Sequence, residues 1–160
     1  MADFVSHDEL RLSFTADEDG EGYLFATVRA RGFAGLGSAW VRASELLSLA
    51  RELQQTYPLS ADRPIVLKGG VERGPADAVR RVRVEHVHVA LAFHPVGSLG
   101  DVGCQVSLAT PVYQESRPES QSRVVVELLT HYEQLAAFAR AIEAMVEGRA
   151  DEAVLGDGSD

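Results

Sequence analysis

Two groups of side chains in this 160-residue chain have the types and spacing for metal chemistry. Asp17, Asp19, Glu21 and Gly22 match the first half of a D-x-D-x-[DNE]-G calcium loop, in which closely spaced carboxylates surround a hard cation. The twelfth position of such a loop needs a bidentate acid, and here it is Val28. The acids also lie between two strand-like segments rather than two helices. Asp17, Glu18, Asp19 and Glu21 therefore read as the acidic tip of a hairpin, better suited to meeting a partner than to holding calcium. The second group is His86, His88 and His94, which share one face of a regular strand. His-x-His can hold a transition metal, but a site needs further ligands and a second shell that orients them. Val87, Val89, Leu91 and Phe93 occupy the opposite face, so the histidines read as the polar side of a half-solvated strand.

Nothing else in the chain specifies a reaction. His131 and His7 have no identifiable nucleophile beside them, and there is no G-x-S-x-G elbow, H-E-x-x-H run or catalytic-cysteine context around Cys104. Gly32, Gly35 and Gly37 fit neither a dinucleotide fingerprint nor a phosphate loop. Trp40 is a candidate partner anchor, yet its place just before an amphipathic helix favours a role in the core or at the helix start. No catalytic residue, metal or cofactor is implied.

Composition sets the outer bounds. The formal net charge of -9 opposes general nucleic-acid binding, which needs cations to replace phosphate counterions, and would attract a basic protein surface. No apolar run is long enough for a membrane span, and the acidic N-terminus does not read as a secretory signal, so a cytoplasmic location is expected. Cys104 stands alone, which excludes an internal disulfide, and its alternating apolar neighbourhood makes it buried filler.

These groups must be positioned by elements that the hydropathy pattern outlines. Leu10, Leu12 and Phe14 alternate with polar residues as a strand, and Tyr23 to Ala30 form its hairpin partner across the acidic connection. The segment from Phe33 to Val41 is a third, irregular strand or an extended approach to a helix. Ser44 is the expected N-cap of that helix, with Leu46, Leu49, Ala50, Leu53 and Tyr57 on one face and Pro58 stopping it. Ile65 to Leu67 suit a weak or edge strand. Val79 to Phe93 and Val102 to Leu108 form a strand pair, with a change of phase near Glu85 and His86 that suggests a bulge or tight turn.

Val124 to Leu129 make a final strand that feeds a second helix. Thr130 and Glu133 have the spacing of a capping box, and Gly148 can end the helix in a left-handed conformation. No internal repeat stands out. Residues 1–148 are expected to form one domain, with an acidic tail, 149–160, that frays around its possible anchors Val154 and Leu155. The fold expected is α+β: a twisted antiparallel sheet of about six strands with two amphipathic helices packed on one face.

The order of these features resembles the WapI-type immunity proteins and related bacterial small domains. The resemblance is carried by Trp40, the helix start Ser44-Glu45-Leu46, the glycine-marked sheet around Gly100 to Val106, and the final helix opened by Tyr132-Glu133-Gln134-Leu135. It implies a non-catalytic cytoplasmic antitoxin that binds a toxin domain and neutralises it. A basic toxin would suit the acidic balance, with Asp17, Glu18, Asp19 and Glu21 as candidate contacts. The competing expectation is a small-molecule or metal-binding domain that uses the sheet face or the His86, His88 and His94 strand.

Overall fold

The computed structural model describes residues 8–73, 83–111 and 118–156. Strands β1 (Glu9–Ala16) and β2 (Glu21–Ala30) form the expected hairpin, with Leu10 opposite Val28 and Leu12 opposite Ala26. The glycine-rich run after them is a regular strand, β3 (Phe33–Arg42), antiparallel to β2. It leads directly into helix α1 (Ala43–Gln55), whose Leu46, Leu49, Ala50 and Leu53 are buried. Next come β4 (Ile65–Arg73), β5 (Arg83–Val96), β6 (Asp101–Ala109) and β7 (Arg123–His131). Helix α2 (Tyr132–Val146) and a short strand β8 (Ala153–Gly156) complete the described chain.

The architecture is α+β, but its strands form two antiparallel sheets of four, ordered β3-β2-β1-β8 and β4-β5-β6-β7, where one sheet of about six was expected. The reason lies in β3, which meets the second sheet face to face. Gly35 lies against Val124 of β7 and Leu108 of β6, and Gly37 against Leu108 and the His88 carbonyl of β5. Ala39 and Val41 then reach Gly69 of β4. Strand β3 therefore crosses all four strands of the second sheet, and glycine at the crossing points lets the backbones approach. The helices pack on each other, and each touches both sheets: α1 lies against β3 and β4, α2 against β1, β7 and β8. Between these layers lies one core, which includes Leu10, Leu24, Leu91, Phe93, Leu135 and Phe138.

Several local expectations change. The phase change near Glu85 is a bulge: β5 runs on unbroken while its register against β4 slips at Gly69/Gly70 and at Val71/Glu72. Thr130 is not a cap, because β7 extends through His131 and α2 starts at Tyr132. Its hydroxyl faces inward and donates to Gln134 Oε1 at 2.7 Å. Likewise α1 begins before Ser44. Arg42 is its N-cap, and the Glu45 carboxylate accepts the Arg42 N–H at 3.0 Å, which is half of a capping box. Gly148 does end α2, with φ of 77°. Its N–H bonds the Met145 carbonyl and the Arg149 N–H bonds the Ala144 carbonyl, the paired bonds of a Schellman motif. Residues 153–156 are not a frayed tail, because Ala153 and Leu155 are buried and β8 pairs along β1. Val154 faces out, and residues 157–160 lie outside the described chain.

The order of elements also contains a repeat that the residues alone do not advertise. Strands β1-β2-β3, helix α1 and strand β4 are followed by β5-β6-β7, α2 and β8. Within each sheet the meander of one half is completed by the last strand of the other half, β8 beside β1 and β4 beside β5. The registers superimpose as well. Glu21 faces Arg42 where Asp101 faces His131, and Phe14 faces Leu24 where Phe93 faces Cys104. Both facing acid and base side chains are in contact, Arg42 Nε with Glu21 Oε1 at 3.1 Å as an ion pair and His131 Nδ1 with Asp101 Oδ1 at 3.3 Å. Buried helix positions correspond as Leu46 with Leu135, Leu49 with Phe138, Ala50 with Ala139 and Leu53 with Ile142. Gln54 and Glu143 are equivalent in this scheme, 89 residues apart, and they touch: Gln54 Nε2 donates to Glu143 Oε1 at 2.7 Å. Gly35 and Val124 are another equivalent pair in contact. Such self-meeting pairs mark an approximate twofold axis between the halves.

Candidate binding surface

Strand alternation sends Leu24, Ala26 and Val28 of β2 into the core and Tyr23, Phe25 and Thr27 outward. On β3 the outward residues include Leu36, Ser38 and Trp40, and the register sets Trp40 beside Tyr23 and Leu36 beside Thr27. Tyr23 and Trp40 meet edge to face with ring centroids 4.8 Å apart, and Phe25 continues the row 6.2 Å from Tyr23. All stay open to solvent: Tyr23 is 51% exposed, Phe25 42%, Trp40 43% and Leu36 66%. An apolar cluster of this kind on an outer sheet face is the usual mark of an interaction site. Trp40 thus belongs to the surface rather than to the core or the helix start.

The acidic turn borders this face and is an ordered structure. The Asp17 N–H donates to the Glu21 carbonyl at 2.8 Å, and the Asp19 N–H donates to Asp17 Oδ1 at 3.0 Å. The Ala43 N–H donates to the Gly20 carbonyl at 2.8 Å, which ties the turn to the start of α1. Glu21 is committed locally. Its carboxylate accepts the Trp40 indole N–H at 3.2 Å and the Arg42 guanidinium at 3.1 Å, fixing the indole on the sheet. Glu18 and Asp19 are the two of the four acids whose exposed carboxylates are left facing solvent. The four acids are therefore neighbours in one turn with two different roles. Among the described residues no group of three or more His, Cys, Asp or Glu side chains is placed to hold a metal ion.

Of the histidines of β5, His88 and His94 are not brought together. His88 sits at the register slip beneath β3 and is 5% exposed, so it does not belong to a half-solvated polar side. His94 is on the outer face, where Nε2 lies 3.0 Å from Glu127 Oε2. The imidazole crosses Gly103 to reach it, since a Cβ there would stand 2.7 Å from Nε2. The side chain of His86 lies outside the described residues.

Cys104 faces inward, away from the His94 and Glu127 side, and is fully buried. Burial, and secondarily the charge of Glu127, push its thiol well up from the ordinary range. The folded protein should then react with a thiol reagent only as fast as it unfolds; rapid labelling of native protein would contradict this placement. The pH dependence has a definite sign. Above the usual thiol pKa of about 8.5 the unfolded chain loses this proton while the folded chain keeps it, so this group's contribution lowers stability as pH rises.

The signal for the aromatic face was present in β2, where both sides of the alternation are apolar: Tyr23 and Phe25 on one, Leu24 and Ala26 on the other. An antiparallel strand needs only one such side for its core. Among the described residues no helix is long and apolar enough to cross a membrane. Comparison with protein-family models, curated proteins and solved structures finds no match.

Proposed function

We propose that the chain is a non-catalytic immunity protein, of the WapI type that its sequence resembles, which neutralises a toxin domain by binding it through the outer face of β2 and β3. The observation that carries this reading is the solvent-open cluster of Tyr23, Phe25, Leu36 and Trp40 beside the acidic turn. A core of rigid aromatic anchors with a charged rim is the arrangement that gives protein interfaces their affinity and their rate of encounter. The net charge of -9 suits a basic toxin. The deciding experiment is co-expression with the product of an adjacent toxin gene. A stoichiometric complex that abolishes toxicity is expected, and a toxin that stays active without forming a complex would end the proposal.

Within this reading the acids divide into two classes. Glu18→Gln with Asp19→Asn should slow association with the toxin several-fold at low salt and flatten its salt dependence, with dissociation nearly unchanged, because both carboxylates act at long range. Glu21→Gln should behave differently, since it disturbs the Trp40 indole and the Arg42 pair directly. Stopped-flow association across a salt series checks both. An unaltered rate at low salt in the double variant would reduce the turn to a solvated connection.

A further inference from the structure

The repeated topology supplies an internal control for the aromatic face. Inward-facing equivalents keep their character, as in Leu10 and Val89, Leu12 and Leu91, or Ala26 and Val106, all buried. The outward positions do not. Where the first half has Tyr23, Phe25, Leu36 and Trp40, the second has Gly103, Gln105, Val125 and Leu129. The same strand sites in the same register accept glycine, glutamine and aliphatic residues, so the fold makes no demand for rings there. The aromatic cluster is a property of one half only.

We infer that Tyr23, Phe25 and Trp40 form a docking surface specialised in the first half, whose occupant is a basic protein segment that lays arginine or lysine side chains over the rings. This rests on the protein-binding reading above and names the chemistry of the partner. Aromatic faces attract cations through their quadrupole, and arginine also stacks on them. Glu21 is already neutralised by Arg42 and holds the indole in place, so the rings are fixed before a partner arrives. Glu18 and Asp19 add negative potential at the rim, and the chain as a whole is strongly acidic. An acidic or nucleic-acid occupant would meet this potential with the wrong sign.

Trp40 is the single tryptophan of the chain and therefore reports on this surface directly. Titration of the full chain with a short oligoarginine peptide should give a saturable change in Trp40 emission, and an oligoglutamate peptide of equal length should not. Phe25→Gln with Leu36→Val, which installs the residues of the equivalent positions, should weaken the peptide about tenfold or more while leaving the melting temperature near that of the parent. Val125→Ser with Leu129→Ser on the other half should leave binding unchanged. Equal affinity in the first-half variant, or an equal loss in the second-half variant, would overturn the inference. The two readings fail separately. Peptide binding that depends on Phe25 without capture of any toxin removes the immunity proposal and keeps this surface. A toxin bound and neutralised equally well by Phe25→Gln/Trp40→Leu keeps the immunity role, moves its contact off the outer face of β2 and β3, and removes this surface.

Discussion

Phe138→Ala is expected to lower the unfolding free energy by about 3–5 kcal/mol, a large part of the margin of about 5–15 kcal/mol that keeps a domain of this kind folded. Phe138 lies on the inner stripe of α2 at 1% exposure, and its ring centroid is 6.5 Å from that of Phe93 on β5. This contact joins a helix of the second half to the centre of a sheet. Removing the ring forfeits its burial and leaves a cavity whose walls belong to different elements and cannot collapse together. Its equivalent in the first half, Leu49→Ala, should cost about 2–5 kcal/mol, since the deleted side chain is smaller. Urea denaturation measures both. A loss for Phe138→Ala below about 1 kcal/mol would mean that α2 is not seated on this core.

Gly69→Ala should destabilise by about 1–3 kcal/mol although it adds a single methyl group. The new Cβ would stand 2.7 Å from the Ala39 Cβ and 2.9 Å from Val41 Cγ1. Ala39 has no rotamer to change, and Val41 is stiff at χ1, so the crossing of β3 over β4 has to open. Ala39→Gly made in the same chain removes the nearer of the two obstacles. The pair should then be less destabilised than the sum of the single changes, a coupling a double-mutant cycle reads directly. Strict additivity would show that the sheets do not meet at these residues.

Element types were legible in the sequence because alternation and helical stripes are local. Leu10, Leu12 and Phe14 declare a strand, and Leu135, Phe138 and Ile142 declare a helix face, whatever lies elsewhere. The pairing of edges is not local, and a chain of antiparallel meanders reads alike whether it forms one sheet or two. Glycines 35, 37 and 69 were the hint of a second layer, since a backbone crossing needs room, but they resemble irregular loop residues until the crossing is seen. Thr130 misled because its spacing to Glu133 is that of a cap, while its inward position on β7 gives the hydroxyl to Gln134 instead. The brief apolar signal of Ala153 and Leu155 was outweighed by acidic neighbours, although four residues suffice when β1 offers a ready edge. For the candidate surface, charge pattern located the acidic turn, but only the register of β2 against β3 separates Glu21, bound to Trp40 and Arg42, from the exposed Glu18 and Asp19.

The exchange of last strands also governs when this protein can become a protein. Glu9 pairs with Gly156, so the first sheet is finished by a strand that is made only after both helices and the other seven strands. Until then β1 presents an open row of amide and carbonyl groups, and the first half, though fully synthesised, lacks the strand that protects it. A nascent chain held at this stage has the surface of an unpaired protomer and the same capacity to join a neighbouring copy. The second sheet has its four strands as soon as β7 is made, whereas the first waits for β8, so the half that is synthesised first is the one whose sheet closes last.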